Sequence, residues 1–208
     1  MDEITRTQRR TTGYWFSDGI SEMVGGVALA LVGVLLYLSV ARDNDIFATS
    51  ALFAMILGFP ATAKIVRWVK DRFTHPRTGY VKYPERSKKR RGIGMVISFV
   101  LGSGLAITAV ALGNVGFDGA FGHALTAGFG AAVAAALAVR AYKVSMPRFY
   151  LSALVVAGGA VWSFLQELSF IGALGVMWMA LGSVSVVTGI IALVAYLRAN
   201  PHPAEVVL

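Results

Sequence analysis

The side chains of this chain whose type and position could carry chemistry are His123, Ser103, Asp18, Glu22, Asp43, Asp45, Asp118 and Glu167. An ionisable group inside an apolar span is expensive to bury and is a functional candidate by default. His123 is such a group. One imidazole makes neither a bis-histidine haem site nor a metal site alone, and His75 and His202 fall on the opposite side of the predicted membrane. Asp118, Asp43, Asp45 and Glu167 share the side of His123, which leaves an outer cation site open. The plainer alternative is a histidine that hydrogen-bonds a neighbouring helix near the headgroups. Ser103, in Gly102-Ser103-Gly104, would with His123 supply a nucleophile and its base. No polar loop able to hold an oxyanion accompanies them, and a serine within a glycine-rich packing stripe is the favoured reading. Glu22 and Asp18 can reach Arg10, Arg77 or Arg148 at the inner surface, where the guanidinium fork suits a carboxylate or phosphate. Anchoring of helix ends is the alternative role for these arginines. Glu22 and His123 are therefore the candidate intramembrane polar positions.

The elements that must position these groups are apolar helices. Of 208 residues, 56% are hydrophobic and 14% charged. Soluble domains carry about a quarter charged residues. The pattern predicts an all-α integral membrane bundle forming one domain, residues 1–208. Its six spans cover residues 20–40, 46–66, 93–112, 118–139, 149–165 and 171–197, each sufficient for a hydrocarbon core of about 30 Å. Tyr14, Trp15 and Phe16 precede the first span at headgroup level. Ser17 or Asp18 can cap that helix. Pro60 removes a backbone donor and predicts a kink in the second helix, which then leaves the membrane along its surface. The N-terminal segment is polar for too long to read as a cleaved leader.

Charge sets the expected orientation. Eighteen of the nineteen Lys and Arg fall on segments that alternate to one side, and only Arg42 lies on the other. This asymmetry places both termini in the cytoplasm of a cell with an inner membrane. The basic loop 67–92 carries Arg77, Tyr80, Lys88, Lys89, Arg90 and Arg91, the expected contacts to the anionic inner leaflet or to a protein partner. In a membrane protein such an excess records orientation, so nucleic acid is not the expected partner.

Two stripes of small residues recur at steps of four. Gly94, Ser98, Gly102 and Ala106 lie on the third span, and Ala124, Gly128, Ala132 and Ala136 on the fourth. Lipid gives no hydrophobic reward for helix association, so close packing through small residues is the available route. The two spans are expected to form a close hairpin at the bundle centre, with Ala141 near the membrane edge more tolerant of bulk. Even-numbered helices also end alike, reaching Pro76, Pro147 and Pro201, and Arg10…Tyr14, Arg77…Tyr80 and Arg148…Tyr150 precede the odd ones. These similarities suggest three helical hairpins in tandem.

The segment Arg72-Phe-Thr-His-Pro-Arg-Thr-Gly-Tyr-Val81 resembles a Thr-[Tyr/His]-Pro-Arg-x-Gly-Tyr-Val juxtamembrane element of small, uncharacterised multi-pass bacterial membrane proteins. The resemblance covers about ten residues and the general layout. It implies a bacterial integral membrane protein and brings no activity with it. No phosphate-cradling glycine loop, dinucleotide-binding turn, His-Glu-x-x-His helix or cysteine occurs. The expectation is a non-enzymatic accessory or interaction subunit without cofactor or metal, able to form homo-oligomers. A small transporter or channel is the alternative.

Overall fold

A computed structural model describes residues 16–74 and 120–201. Among them are five helices and no strand: α1 (Ile20–Ala41), α2 (Asp45–Phe73), α3 (Ala120–Val144), α4 (Arg148–Leu165) and α5 (Phe170–Ala199). Four are long and apolar enough to cross a membrane, and a fifth joins them if the two halves of α2 count as one span. The predicted span 93–112 lies outside the described residues.

Local sequence explains the helix ends. Asn44 starts α2 by accepting a hydrogen bond from the Ile46 N–H at 2.9 Å. Ser169 does the same for α5 through Gly172, at 3.3 Å. A short side-chain oxygen at this position satisfies a donor that the helix itself leaves free. The axis of α2 bends by 48° between its Asp45–Gly58 and Pro60–Phe73 halves. Pro60 lacks the N–H that would close the preceding turn, and its ring crowds the carbonyl four residues back.

The helices neighbour one another in the order α2, α1, α5, α4, α3, with α3 also touching α5. Among the described residues the most extensive interface joins α1 to α5, the first and last of the five helices. Its cause is a ladder of glycines at steps of seven. Gly19 faces Gly189, Gly26 faces Gly182, and Gly33 faces Gly175, so the two helices run antiparallel. Seven residues make nearly two turns and return to the same face. Three rungs cover roughly 21 Å, most of a bilayer core. A Cβ on Gly26 would stand 2.7 Å from the Gly182 carbonyl oxygen, and one on Gly33 2.7 Å from that of Gly175. Only glycine permits backbones to meet so closely. Gly19 adds a second requirement, since its φ of 69° lies in the left-handed region.

The remaining helices pack through Gly130, Ala160 and Met177, which bring α3, α4 and α5 together. Large apolar side chains point outward: Leu154, Leu165, Leu57 and Ile56 are all about two-thirds exposed, whereas the core is rich in alanine, glycine and valine. Such an arrangement suits a surround of lipid, against which large apolar groups lose nothing by facing out.

Small polar groups inside the helices are satisfied locally. Ser163, Thr126 and Thr188 donate to the carbonyls four residues back, at 2.8, 3.0 and 2.8 Å.

The stripe on α3 contrasts with the glycine ladder. Ala124, Gly128 and Ala132 are exposed, and no described atom lies within 4 Å of a Cβ built on Gly128. Their expected partners Gly94, Ser98 and Gly102 lie outside the described residues. The expectation that Ala141 sits at a tolerant edge is corrected. Ala141 is fully buried against Val144 and Phe149, because the turn after α3 folds α4 back over it.

Candidate functional site at the charged end of the bundle

The ionisable groups of four helices converge where α1 begins, α2 and α3 end, and α4 begins. The turn before α1 is closed by the Gly19 N–H donating to the Phe16 carbonyl at 3.2 Å. Asp18, held in this turn, uses one oxygen to accept from the Ile20 N–H at 3.2 Å. Its other oxygen pairs with Lys70 Nζ at 3.0 Å, and both side chains are almost fully buried. Helices α1 and α2 are joined by residues 42–44, and Asp18 and Lys70 lie nearly equal distances from that turn. The hairpin therefore brings them to one depth. Thr74 ends α2, its N–H and hydroxyl both donating to the Lys70 carbonyl, at 3.0 and 3.1 Å. The Tyr196 hydroxyl donates to the Thr74 carbonyl at 3.4 Å, which ties α5 to the same corner.

Glu22 follows one turn into α1 and pairs with Arg148, Nη2 to Oε1, at 2.7 Å. The same guanidinium donates to the Phe16 carbonyl and reaches Met146 Sδ at 3.3 Å. Arg148 opens α4, so this contact links the N-terminal hairpin to the C-terminal half. Of the three arginines that the sequence offers to Glu22 and Asp18, Arg148 takes Glu22. Asp18 takes Lys70, and Arg10 and Arg77 lie outside the described residues.

A third cation stands beside the pairs. The Arg140 guanidinium carbon lies 4.7 Å from the Phe16 ring centroid and 5.2 Å from that of Phe149. The two rings meet edge to face at 5.9 Å and 87°. Phe149 is in turn fixed by Ala141 and Val144, with Phe16 and Met146 packed against the cluster. Cation–π contact and packing thus hold a guanidinium over a rigid apolar platform. Asp18 and Glu22 are each paired with a cation, and among the described residues Arg140 stands outside both pairs. The arrangement holds charge in place.

His123 belongs elsewhere. It lies near the start of α3, edge to face with Phe164 at 5.7 Å, towards the end of the bundle that carries the turn 166–169. Its Nδ1 is buried without a hydrogen bond among the described residues. Glu22 and His123 therefore occupy separate positions. No group of three or more His, Asp or Glu side chains among the described residues is placed to hold a metal ion. Arg77, Tyr80, Lys88, Lys89, Arg90, Arg91 and Ser103 lie outside the described residues.

Sequence reading missed Lys70 as a buried partner and Arg140 as a platform-held cation. The first was traceable by counting outward from the turn at residues 42–44. The second depends on Phe16 and Phe149, which only the folded chain brings together. No protein-family model matches this chain, and neither a curated protein nor a solved structure matches it.

Proposed function

We propose that the chain is a bacterial inner-membrane protein of six spans in three hairpins, with both termini cytoplasmic, that works by binding rather than catalysis. It acts as an accessory or interaction subunit whose basic surface engages the anionic leaflet and, through it, a protein partner or further copies of itself. The observation that carries this reading is the arm of α2 beyond Pro60. Lys64, Arg67 and Arg72 are exposed there among exposed Ile65, Trp68 and Phe73, while Val66, Lys70 and Thr74 turn into the bundle. Bases interleaved with aromatic and aliphatic side chains suit the boundary between headgroups and acyl chains. Each base near an anionic surface adds about 1 kcal/mol, within a Debye length. The basic sequence 77–91 continues the same charge.

The test is thermal unfolding in nanodiscs of phosphatidylcholine alone or with phosphatidylglycerol. The parent should gain stability from the anionic lipid at low salt and lose that gain at high salt. Changing Lys64, Arg67 and Arg72 together to Gln should remove much of it. Equal midpoints in the two lipids would refute the reading.

A transporter or channel is favoured by one specific feature, the break in α2 at Gly58–Pro60, within the predicted bilayer. Helices interrupted at membrane depth are a recurring design of transport paths. Ion or solute flux into proteoliposomes above that of empty liposomes would favour this second reading.

A further inference from the structure

We infer that Arg140 is the centre of a phosphate-binding site for the headgroup of an anionic phospholipid, formed with Lys143 at the charged end of the bundle. The inference rests on the membrane-binding reading above and gives it a definite site.

The first argument is charge balance. Asp18 and Glu22 face Lys70 and Arg148 at 3.0 and 2.7 Å, one carboxylate to one cation. Arg140 has no carboxylate within 4 Å among the described residues. Lys143, one turn further along α3, is exposed and likewise has none. Among the described residues the cluster therefore ends in two cations that form no salt bridge, Arg140 feeling Glu22 only at longer range.

The second argument is geometry. The Phe16 and Phe149 rings hold the Arg140 guanidinium at 4.7 and 5.2 Å while the residue stays exposed. A guanidinium fixed by rings can present its N–H edge to a ligand with little further loss of freedom. That edge matches two oxygens of one phosphate, with the ammonium of Lys143 as a second point charge.

The third argument is depth. Arg140 directly follows the predicted fourth span. Tyr142 and Tyr150, at 61% and 44% exposure, mark the same level. Tyrosine at this position is the usual companion of headgroups. Exposed Val139 and Leu151 lie just inside that level and would meet the acyl chains. A free inorganic phosphate would use the guanidinium and gain nothing from that apolar flank, so the lipid is the better occupant.

The test is native mass spectrometry of the full-length protein released from mixed phosphatidylglycerol and phosphatidylcholine nanodiscs, with bound lipid counted. The parent should retain phosphatidylglycerol in preference to phosphatidylcholine, and millimolar inorganic phosphate should not displace it. Arg140→Met, which keeps an apolar stem on the platform, should weaken phosphatidylglycerol retention about fivefold to tenfold. Arg140→Lys should fall between the two, because it keeps charge and loses the fork. Arg198→Gln, at the same end on α5, should weaken retention less than Arg140→Met, because it removes one exposed base and no guanidinium held between rings. If the parent prefers phosphatidylglycerol and both Arg140 variants retain it equally well, this site is wrong while the general reading stands. If the parent shows no preference, the general reading fails with it. Displacement by free phosphate would overturn the lipid assignment. Unfolding in pure phosphatidylcholine shows whether a variant is folded, and a variant that folds there yet keeps its lipid counts against the site.

Discussion

Replacing Gly26 by alanine adds one methyl group at the middle rung of the α1–α5 ladder. That methyl would stand 2.7 Å from the Gly182 carbonyl oxygen, 2.9 Å from Val186 N and 3.0 Å from Ser185 Cβ. Comfortable carbon contacts lie at about 3.5–4.0 Å, so the helices must part locally by roughly 1 Å. The obstruction is backbone on a packed helix and cannot rotate aside. A gap of that size forfeits about a quarter to a half of the contact attraction nearby. Overpacked sites lose about 1–3 kcal/mol. Alanine recovers up to about 1 kcal/mol over glycine through helix propensity. The clash wins, and Gly26→Ala should cost about 1 kcal/mol net. The adjacent Gly25 meets nothing within 4 Å. Gly25→Ala should therefore be neutral or stabilising by up to about 1 kcal/mol. Neighbouring residues of one type, given one substitution, should therefore respond differently, with a loss only at Gly26. Reversible unfolding by denaturing detergent in mixed micelles, followed by tryptophan fluorescence, measures both. Equal effects at Gly25 and Gly26 would refute the ladder.

Further expectations concern the charged end and the bend. Asp18→Asn removes the carboxylate paired with buried Lys70 and should destabilise the protein by about 3–5 kcal/mol, read in the same unfolding assay. Exchanging the two charges, Asp18→Lys with Lys70→Asp, should recover part of that loss, and no recovery would count against a direct pair. Pro60→Ala restores an N–H and should reduce the 48° bend, seen as a longer distance between spin labels at the two ends of α2. Changing Lys88, Lys89, Arg90 and Arg91 to Gln should preserve topology, since Arg67, Lys70, Arg72 and Arg77 remain, while binding to phosphatidylglycerol-rich vesicles should weaken and lose salt dependence.

Much of the helix plan was legible because one physical signal dominates it. Runs of about twenty apolar residues bounded by charge leave little choice of boundary, and α1, α4 and α5 start and stop within two residues of expectation. Helix α2 runs on to Phe73, because its exit arm stays helical as the amphipathic spacing suggested. The bend at Pro60 follows from chemistry local to a few residues. Pairing between helices was less legible. Spacing at steps of four drew attention to Gly128, whereas the ladder of Gly19, Gly26 and Gly33 against Gly175, Gly182 and Gly189 is spaced by seven and joins opposite ends of the chain. Nothing local to either helix says that they meet. Glu22 was recognisable as a polar anomaly next to bases, and Arg148 was among its expected partners. Arg140 gains its meaning from Phe16, more than a hundred residues away in sequence.

The central claim is that the charged end of the bundle faces the cytoplasm and its anionic leaflet. The chain contains no cysteine, so single cysteines report cleanly. Gln166 lies in the turn between α4 and α5, and Ala199 ends α5 at the charged end; both are exposed. In intact cells, a membrane-impermeant thiol reagent should label Gln166→Cys and leave Ala199→Cys unlabelled until the cells are opened. Labelling of Ala199→Cys alone, or of both variants equally in intact cells, would contradict the account.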